Sequence, residues 1–385
     1  RVPRPRGVSA GRTYDAGVSV RRRTHRGVIV VQAYLNRVAV AVPQYEVHDT
    51  FVRFAERALR DRCSRLLFER MASRSQIRRR WSCLAPAAPG SNEKLDADGF
   101  YTLGSFPSTG TRMQRYERDA PVLAAKAVER LGLGEAAERI THLIVTSCTG
   151  LSAPGVDFEV MRRCNLSPSI ERNFLGFMGC NAAINALKLA RHIVRSTPDA
   201  KVVVVCVELC TLHLQESGDI GRLLTFLLFA DGSAAALISA QPSGFALDRF
   251  HAEVMPEAAG HITWTIRDCG FDMLLAGEVP TAIGATLRSG SRRVLSGASP
   301  SEIALWAIHP GGRTVLDAVE GAFALEPSAL AISRAVLRDY GNMSSPTVLF
   351  ALEAMMRKNP PPGARGCAMA FGPGLTTETM LFSAA

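Results

Sequence analysis

From Ile140 onward, short apolar runs alternate with segments whose apolar residues recur every three or four positions. The runs predict strands buried on both faces, and the periodic segments predict helices with one buried face. Thr141–Ser147, Lys201–Glu208 and Ala234–Ala240 predict strands, the last behind the turn Asp231-Gly232. Phe158–Cys164 predicts a helix. So does the stretch after Cys180, where Ala183, Ile184, Leu187, Leu189, Ala190 and Val194 recur at mostly helical spacing and Lys188, Arg191 and Arg195 take the other side. The last third repeats the scheme in shorter form. It predicts strand Leu305–His309, helices Thr314–Phe323, Ala329–Asp339 and Pro346–Arg357, and strands Cys367–Phe371 and Thr379–Ser383. Such alternation implies an α/β fold with mixed sheets covered by helices. Two similar halves, residues 28–245 and 246–385, would leave a cleft between them.

Upstream the signal is weaker. Val28–Val31 and Val38–Val42 predict short strands, the second closed by Pro43, and a helix from about His48 carries Phe51, Phe54, Ala55 and Leu59. Arg60–Arg80 is dense in arginine, which reads either as a solvated helical face or as a site for phosphate groups. Residues 85–104 predict a loop, and Arg112–Asp119 and Pro121–Leu131 predict two helices.

Charge changes the picture at one end only. The chain of 385 residues has a net charge of +10, but residues 1–27 alone hold eight arginines against one aspartate. That segment is rich in Gly, Pro and Ser and lacks periodicity, so it predicts disorder. No aromatic platform accompanies the charge, which argues against a nucleic-acid partner. No apolar run approaches the ~18 residues that span a bilayer, so no membrane role is expected. Nine cysteines are scattered without a CxxC pair. That suggests reduced thiols in a cytoplasmic protein and no bound metal.

Three residues stand out chemically. Cys180 follows the glycine-flanked run Gly176-Phe177-Met178-Gly179 and precedes a helix. A thiol there faces unpaired N–H groups and the positive end of the helix dipole, which favour the nucleophilic thiolate. His309 ends a predicted strand just before Pro310-Gly311-Gly312, and strand ends are where α/β sheets form sites. Asn342 occupies the turn Tyr340–Pro346 and offers an uncharged donor for a developing oxyanion. A histidine can take the thiol proton, and histidine and asparagine can then both donate to a thioester carbonyl. Papain-like proteases share these residue types, but their cysteine lies in a different local sequence.

Four ordered motifs then carry a resemblance: Gly179-Cys180, Ile308–Gly312 (IHPGG), Tyr340–Ser345 (YGNMSS) and Phe371–Thr376 (FGPGLT). From about Ala33 to Phe382 the chain resembles the type III polyketide synthases, the chalcone synthase-like branch of the thiolase superfamily. The resemblance implies a five-layered αβαβα thiolase fold and a homodimer. It implies Cys180 as the acyl-carrying nucleophile, with His309 and Asn342 completing a triad and Phe229 beside it favouring malonyl decarboxylation. Arg70 and Arg74 match positions that meet coenzyme A phosphates, a third such position being Leu67 here, and Gly311 and Gly312 belong to the same binding region. Cys148, Thr149, Cys210, His213, Ser344, Gly372, Pro373 and Gly374 match positions that shape the pocket. Cys148 stands where plant enzymes usually have threonine, as in many bacterial members. Ala153 stands where plant enzymes have a methionine that reaches the partner's cavity, so plant flavonoid chemistry is not expected.

The implied reaction is decarboxylative condensation of malonyl-CoA onto an acyl-CoA starter, then cyclisation to a pyrone, a resorcinol or a related phenolic ring. Coenzyme A thioesters are substrates in it, and no prosthetic group is required. The rivals are an initiating ketoacyl-acyl carrier protein synthase of the same fold and an inactive thiolase-fold binding protein. The FGPGLT and YGNMSS motifs favour the polyketide reading over the first, and the intact triad counts against the second.

Overall fold

A computed structural model of the chain describes residues 31–91 and 93–385. The basic segment 1–27 and most of the strand expected at Val28–Val31 lie outside the described residues. The strands, in chain order, are β1 (Tyr34–Ala41), β2 (Tyr45–Glu46), β3 (Trp81–Ser82), β4 (His142–Ser147), β5 (Glu171–Gly176), β6 (Val202–Leu209), β7 (Asp231–Ser239), β8 (Phe245–Val254), β9 (Ile262–Arg267), β10 (Gly270–Leu275), β11 (Leu305–Ile308), β12 (Arg365–Gly372) and β13 (Thr376–Ala384). The helices are α1 (His48–Ala58), α2 (Arg62–Arg74), α3 (Thr109–Glu129), α4 (Val156–Arg163), α5 (Ala182–Ser196), α6 (Ile220–Leu228), α7 (Val279–Val294), α8 (Arg313–Phe323), α9 (Ala331–Tyr340) and α10 (Thr347–Arg357).

Nine strands form one mixed sheet in the order β11-β12-β13-β8-β1-β7-β6-β4-β5. Its seam is narrow: β1 and β8 pair only through Tyr34 with Ala246 and Leu35 with Phe245. On either side of that seam lies a sub-sheet with parallel strands at its outer end, β6-β4-β5 in one and β11-β12 in the other. Helices α5 and α10 each touch strands of both sub-sheets and fill the space between them.

The alternation of side chains along the strands sorts the core into layers. On one side, Leu143, Val145, Val203, Val205 and Val207 pack with Tyr116, Ala120 and Ala124 of α3. Their neighbours Ile144, Val202, Val204 and Cys206 point the other way, into a central core with Ile184 and Leu187 of α5 and Leu349 and Leu352 of α10. From the second sub-sheet, Ala307, Ala368 and Ala370 face that same central core. Trp306, Ile308, Cys367 and Met369 face outward onto α7 and α8. Helix, sheet, helix, sheet, helix is the five-layered αβαβα arrangement expected from the motifs.

Several elements depart from expectation. The two helices expected at Arg112–Asp119 and Pro121–Leu131 are one helix, α3, with Pro121 inside it. Proline removes one hydrogen bond there, and burial of Ala120, Pro121, Leu123, Ala124 and Ala127 against the sheet offsets the loss. Strands β5 and β8, the β9–β10 ribbon and helix α7 were not foreseen. Strand β5 reads Glu-Arg-Asn at its exposed start and has no apolar alternation there. Only its parallel register with β4 identifies it.

Candidate functional site

The described turns that follow β5, β11 and β12 all open onto one cavity of about 460 Å³. Cys180, His309, Asn342 and Phe229 line it together, although they are spread over more than 160 residues of sequence. Each is placed by a local device. After β5 the chain turns through Phe177, at φ 57°, and Gly179, at φ 78°, into a short 3₁₀ turn, Gly179–Asn181, that leads directly into α5. Glycine is required at 179: a Cβ would lie 2.3 Å from Cδ of Pro373. The loop after β12 is therefore seated on the Cys180 turn, which gives the GC and FGPGLT motifs a common physical cause.

His309 follows β11, and its backbone N–H donates to the Met369 carbonyl at 2.7 Å. Asn342 sits between α9 and α10. Its backbone N–H donates to Leu228 O at 2.8 Å, and its carbonyl accepts from the Ala230 N–H at 2.9 Å. That bridge sets Phe229 beside Asn342. The Asn342 side chain accepts from the Ser344 N–H at 2.8 Å and donates to Gly311 O at 3.3 Å.

The electrostatics differ from what the helix N-terminus alone predicts. The Cys180 thiol donates to Ser344 Oγ at 3.5 Å, yet burial pushes its pKa up to about 11. The desolvation penalty on a thiolate here exceeds the help from Ser344 and Asn342. Burial also pulls His309 down to about 3, and neither ring nitrogen has a hydrogen-bond partner among the described residues. Thiol and imidazole thus stand neutral in the same cavity, the thiol bonded to Ser344 and the imidazole without a partner among the described residues.

The remaining expected residues divide. Cys148, Thr149, Cys210, Ser344, Gly372, Pro373, Gly311 and Gly312 line the cavity. Cys148 Sγ accepts from the Gly179 N–H at 3.1 Å, beside Cys180. Burial raises the Cys148 and Cys210 thiols well above their ordinary values. His213 and Gly374 are not part of the lining. His213 is fully buried behind it, bonded to Thr149 O and stacked on Phe271 at 4.1 Å, with Trp264 edge-on. It supports the wall that Trp264 forms. Arg74 stands at the mouth, whereas Arg70, one turn back on α2, is exposed and outside the lining. Leu67 is 47% exposed on the same helix.

Sequence reading missed Glu208. This fully buried carboxylate at the end of β6 accepts from the Cys148 N–H (2.9 Å), Thr149 Oγ1 (2.9 Å) and Ser345 Oγ (2.7 Å). Burial raises it to about 7. A glutamate ending an otherwise continuous apolar strand, VVVVCVEL, was the available signal. The apolar wall of Ile262, Trp264, Met273 and Leu275, from the β9–β10 ribbon, was also missed.

The chain is similar to proteins of one family. The family model for the N-terminal domain of chalcone and stilbene synthases matches residues 19–242, and that for their C-terminal domain matches residues 247–385. A bisdemethoxycurcumin synthase from Oryza sativa subsp. japonica is 32% identical over 368 residues, covering 89% of this chain and 89% of the rice protein. Among solved structures, PKS-I from the brown alga Ectocarpus siliculosus is similar with a TM-score of 0.82 at 28% identity, over 92% of this chain and 99% of that one. The C-terminal type III polyketide synthase domain of Steely1, a type I/III hybrid from Dictyostelium, has a TM-score of 0.83 over 92% of this chain and 99% of that one. Its 23% identity makes that a likeness of fold alone.

Proposed function

The chain belongs to the chalcone and stilbene synthase family of polyketide synthases, and from that premise we propose the reaction its cavity performs. A starter acyl-CoA acylates Cys180, malonyl-CoA is decarboxylated in the same cavity, and the resulting enolate extends the acyl chain by two carbons. Cyclisation closes a pyrone, a resorcinol or a related phenolic ring. The observation that carries the proposal is the convergence of Cys180, His309, Asn342 and Phe229 on one mostly apolar cavity.

The proton balance follows from the neutral resting pair. As a thioester carbonyl approaches, the Cys180 proton passes to His309, and the mutual attraction of thiolate and imidazolium offsets their burial. Sulfur attacks, the S–acyl bond forms, and coenzyme A leaves with the proton from His309. Malonyl-CoA then places its thioester oxygen against the His309 N–H and the Asn342 amide. Its C–C bond breaks, CO2 departs, and the electron pair passes into an enolate held by those two donors. The low-dielectric wall beside Phe229 favours loss of the carboxylate charge over its retention. The enolate carbon attacks the acyl-cysteine, and Cys180 leaves as the thiolate. Because a thioester already acidifies the neighbouring carbon, the scheme calls on no metal or prosthetic group.

Arg74 at the mouth, with Arg70 behind it, suits the coenzyme A phosphates. The edge strand β5, whose start is exposed, suits pairing with a second copy, and we take the active unit to be a homodimer in the cytoplasm. Incubating the pure protein with malonyl-CoA and a panel of acyl-CoA starters, while reading product masses and CO2, tests the proposal. Absence of both CO2 and extended products with every starter would overturn it.

A further inference from the structure

Arg80 is a fully buried cation with no role in the chemistry described above. It is 2% exposed, and its guanidinium carbon lies 4.5 Å from the centre of the Phe51 ring. Burial lowers its pKa only to about 10, so it is charged at neutral pH. Its Nε donates to His48 Nδ1 at 3.1 Å. That histidine is drawn down to about 4 by burial and by Arg80 itself, so its ring is neutral and free to accept. The Arg80 Nη1 donates twice, to Phe226 O at 3.0 Å and to Phe229 O at 2.7 Å.

Those two carbonyls end α6. A cation on the last carbonyls of a helix satisfies groups that the helix leaves unpaired and meets the negative end of its dipole. Between those two residues in the chain, Leu228 O accepts from the Asn342 N–H, and Asn342 O accepts from the Ala230 N–H. The aliphatic stem of Arg80 also packs against the residue before Asn342. A Cβ on Gly341, whose φ is 71°, would lie 2.9 Å from Arg80 Cγ and 3.0 Å from Leu228 O. One side chain thus grips both partners of the bridge that carries Phe229 and Asn342. Arg80 and Phe229 both line a small cavity of about 40 Å³, and Arg80 Nη2 has no hydrogen-bond partner among the described residues.

We infer that Arg80 is a positioning residue for decarboxylation: it fixes the Phe229–Asn342 bridge and so aims the Asn342 amide at the enolate oxygen, without touching the nucleophile's turn. The inference rests on the proposed function for its kinetic half only. The backbone of Cys180 is set by β5, α5 and the contact of Gly179 with Pro373, and its thiol meets the bridge through the long Ser344 Oγ contact at 3.5 Å, so acyl transfer should suffer much less than decarboxylation.

The test compares Arg80→Met, Arg80→Lys and Gly341→Ala with the unchanged protein. Arg80→Met is expected to lower kcat for CO2 release from malonyl-CoA by on the order of 10- to 100-fold, the loss that about 1 Å of misplacement brings. Its KM, and the rate of Cys180 acylation by a starter read by intact mass, should stay within about threefold. Arg80→Lys should recover part of the loss through one ammonium hydrogen bond. Gly341→Ala, which pushes on the clamp from the other side, should show the same split even if Arg80→Met does not fold. Hydrogen exchange gives a reading independent of activity: amides of residues 226–231 and 340–344 should exchange faster in Arg80→Met, while those of β6 do not. Parallel losses in both half-reactions, or unchanged exchange in those two segments, would overturn the inference. Absence of CO2 release from the unchanged protein would overturn the proposed function instead, and the exchange result would then decide the clamp alone.

Discussion

At the floor of the cavity, Cys180, His309 and Asn342 are held on tight turns whose backbone groups bond across strands and whose glycines touch neighbouring side chains. At its mouth stands Arg74, with Arg70 one turn farther back, on solvent-facing turns of α2, a helix that buries only Phe68 and Ala72. The floor is specified by geometry that few residues can satisfy. The mouth is specified by charge, which many arrangements supply. A substitution at the floor should therefore remove a chemical step, and one at the mouth should only weaken binding.

The sharpest break of that contrast comes from the three floor residues. Cys180→Ala should abolish the acyl-enzyme and all product, yet keep part of the CO2 release, because the thiol is not the enolate's partner. Asn342→Ala should cut CO2 release by roughly 10²–10³, the usual loss for one oxyanion donor, and spare acylation. His309→Ala should damage both, since it removes the proton acceptor and a donor together. Acyl-enzyme mass and CO2 release separate the three patterns. Equal losses of CO2 release in Cys180→Ala and Asn342→Ala would show that the division of labour is wrong.

A smaller effect is expected from the turn that carries Cys180. Gly179→Ala places a Cβ against Pro373 at a positive φ. Left-handed backbone at a non-glycine residue costs roughly 1–3 kcal/mol, and relieving the clash must move Cys180 or the loop after β12. Denaturant unfolding should show that loss of stability, and acylation should slow while CO2 release falls less. An alanine variant with unchanged acylation would mean the turn tolerates more than its contacts suggest.

Beneath the floor, Glu208 makes the contrast dependent on pH. Its pKa is raised from 4.5 to about 7, with burial the largest cause. The folded protein therefore binds this proton more tightly than the unfolded chain does. Stability is then lost as pH rises from about 4.5 to about 7, and stays lost above that. Glu208→Gln removes the titration. The stability gap between the two proteins should shift toward the variant by at most roughly 3 kcal/mol between pH 4.5 and pH 8. A gap independent of pH would show that folding does not shift the Glu208 pKa.

How much of this was readable in advance follows the same division. Strands β4, β6 and β7 were legible because both faces are buried, so the apolar signal is continuous. The motifs around Cys180, His309, Asn342 and Gly372 were legible because tight turns restrict the residues that fit. Strand β5 was not, since its start is polar and exposed and it is defined by pairing alone. The Cys180 thiol was misjudged electrostatically. A helix N-terminus can be read from sequence, but the desolvation that overrides it is a property of everything packed around the sulfur. Arg80 illustrates the same blindness: in the run Ile77-Arg78-Arg79-Arg80, two arginines are exposed and the third is buried, and only the tertiary fold distinguishes them.

The smallest effects belong to the mouth. Arg74 lines the cavity and Arg70 does not, although the sequence resemblance gives both the same expected role. A surface cation meeting phosphate in water is worth on the order of 1 kcal/mol or less, so Arg74→Ala should raise the KM for malonyl-CoA by about threefold to fivefold and leave kcat nearly unchanged. Arg70→Ala, one turn farther from the opening, should raise KM by less than about twofold. Both effects should shrink as salt is added, because exposed charges are screened over about 8 Å at physiological ionic strength. Leu67→Lys restores a cation to the third position and should lower KM at low salt. The decisive comparison is kcat. If Arg74→Ala lowers kcat as strongly as Asn342→Ala does, then the mouth shapes the transition state as well as the encounter. The separation between a geometric floor and an electrostatic mouth would then fail.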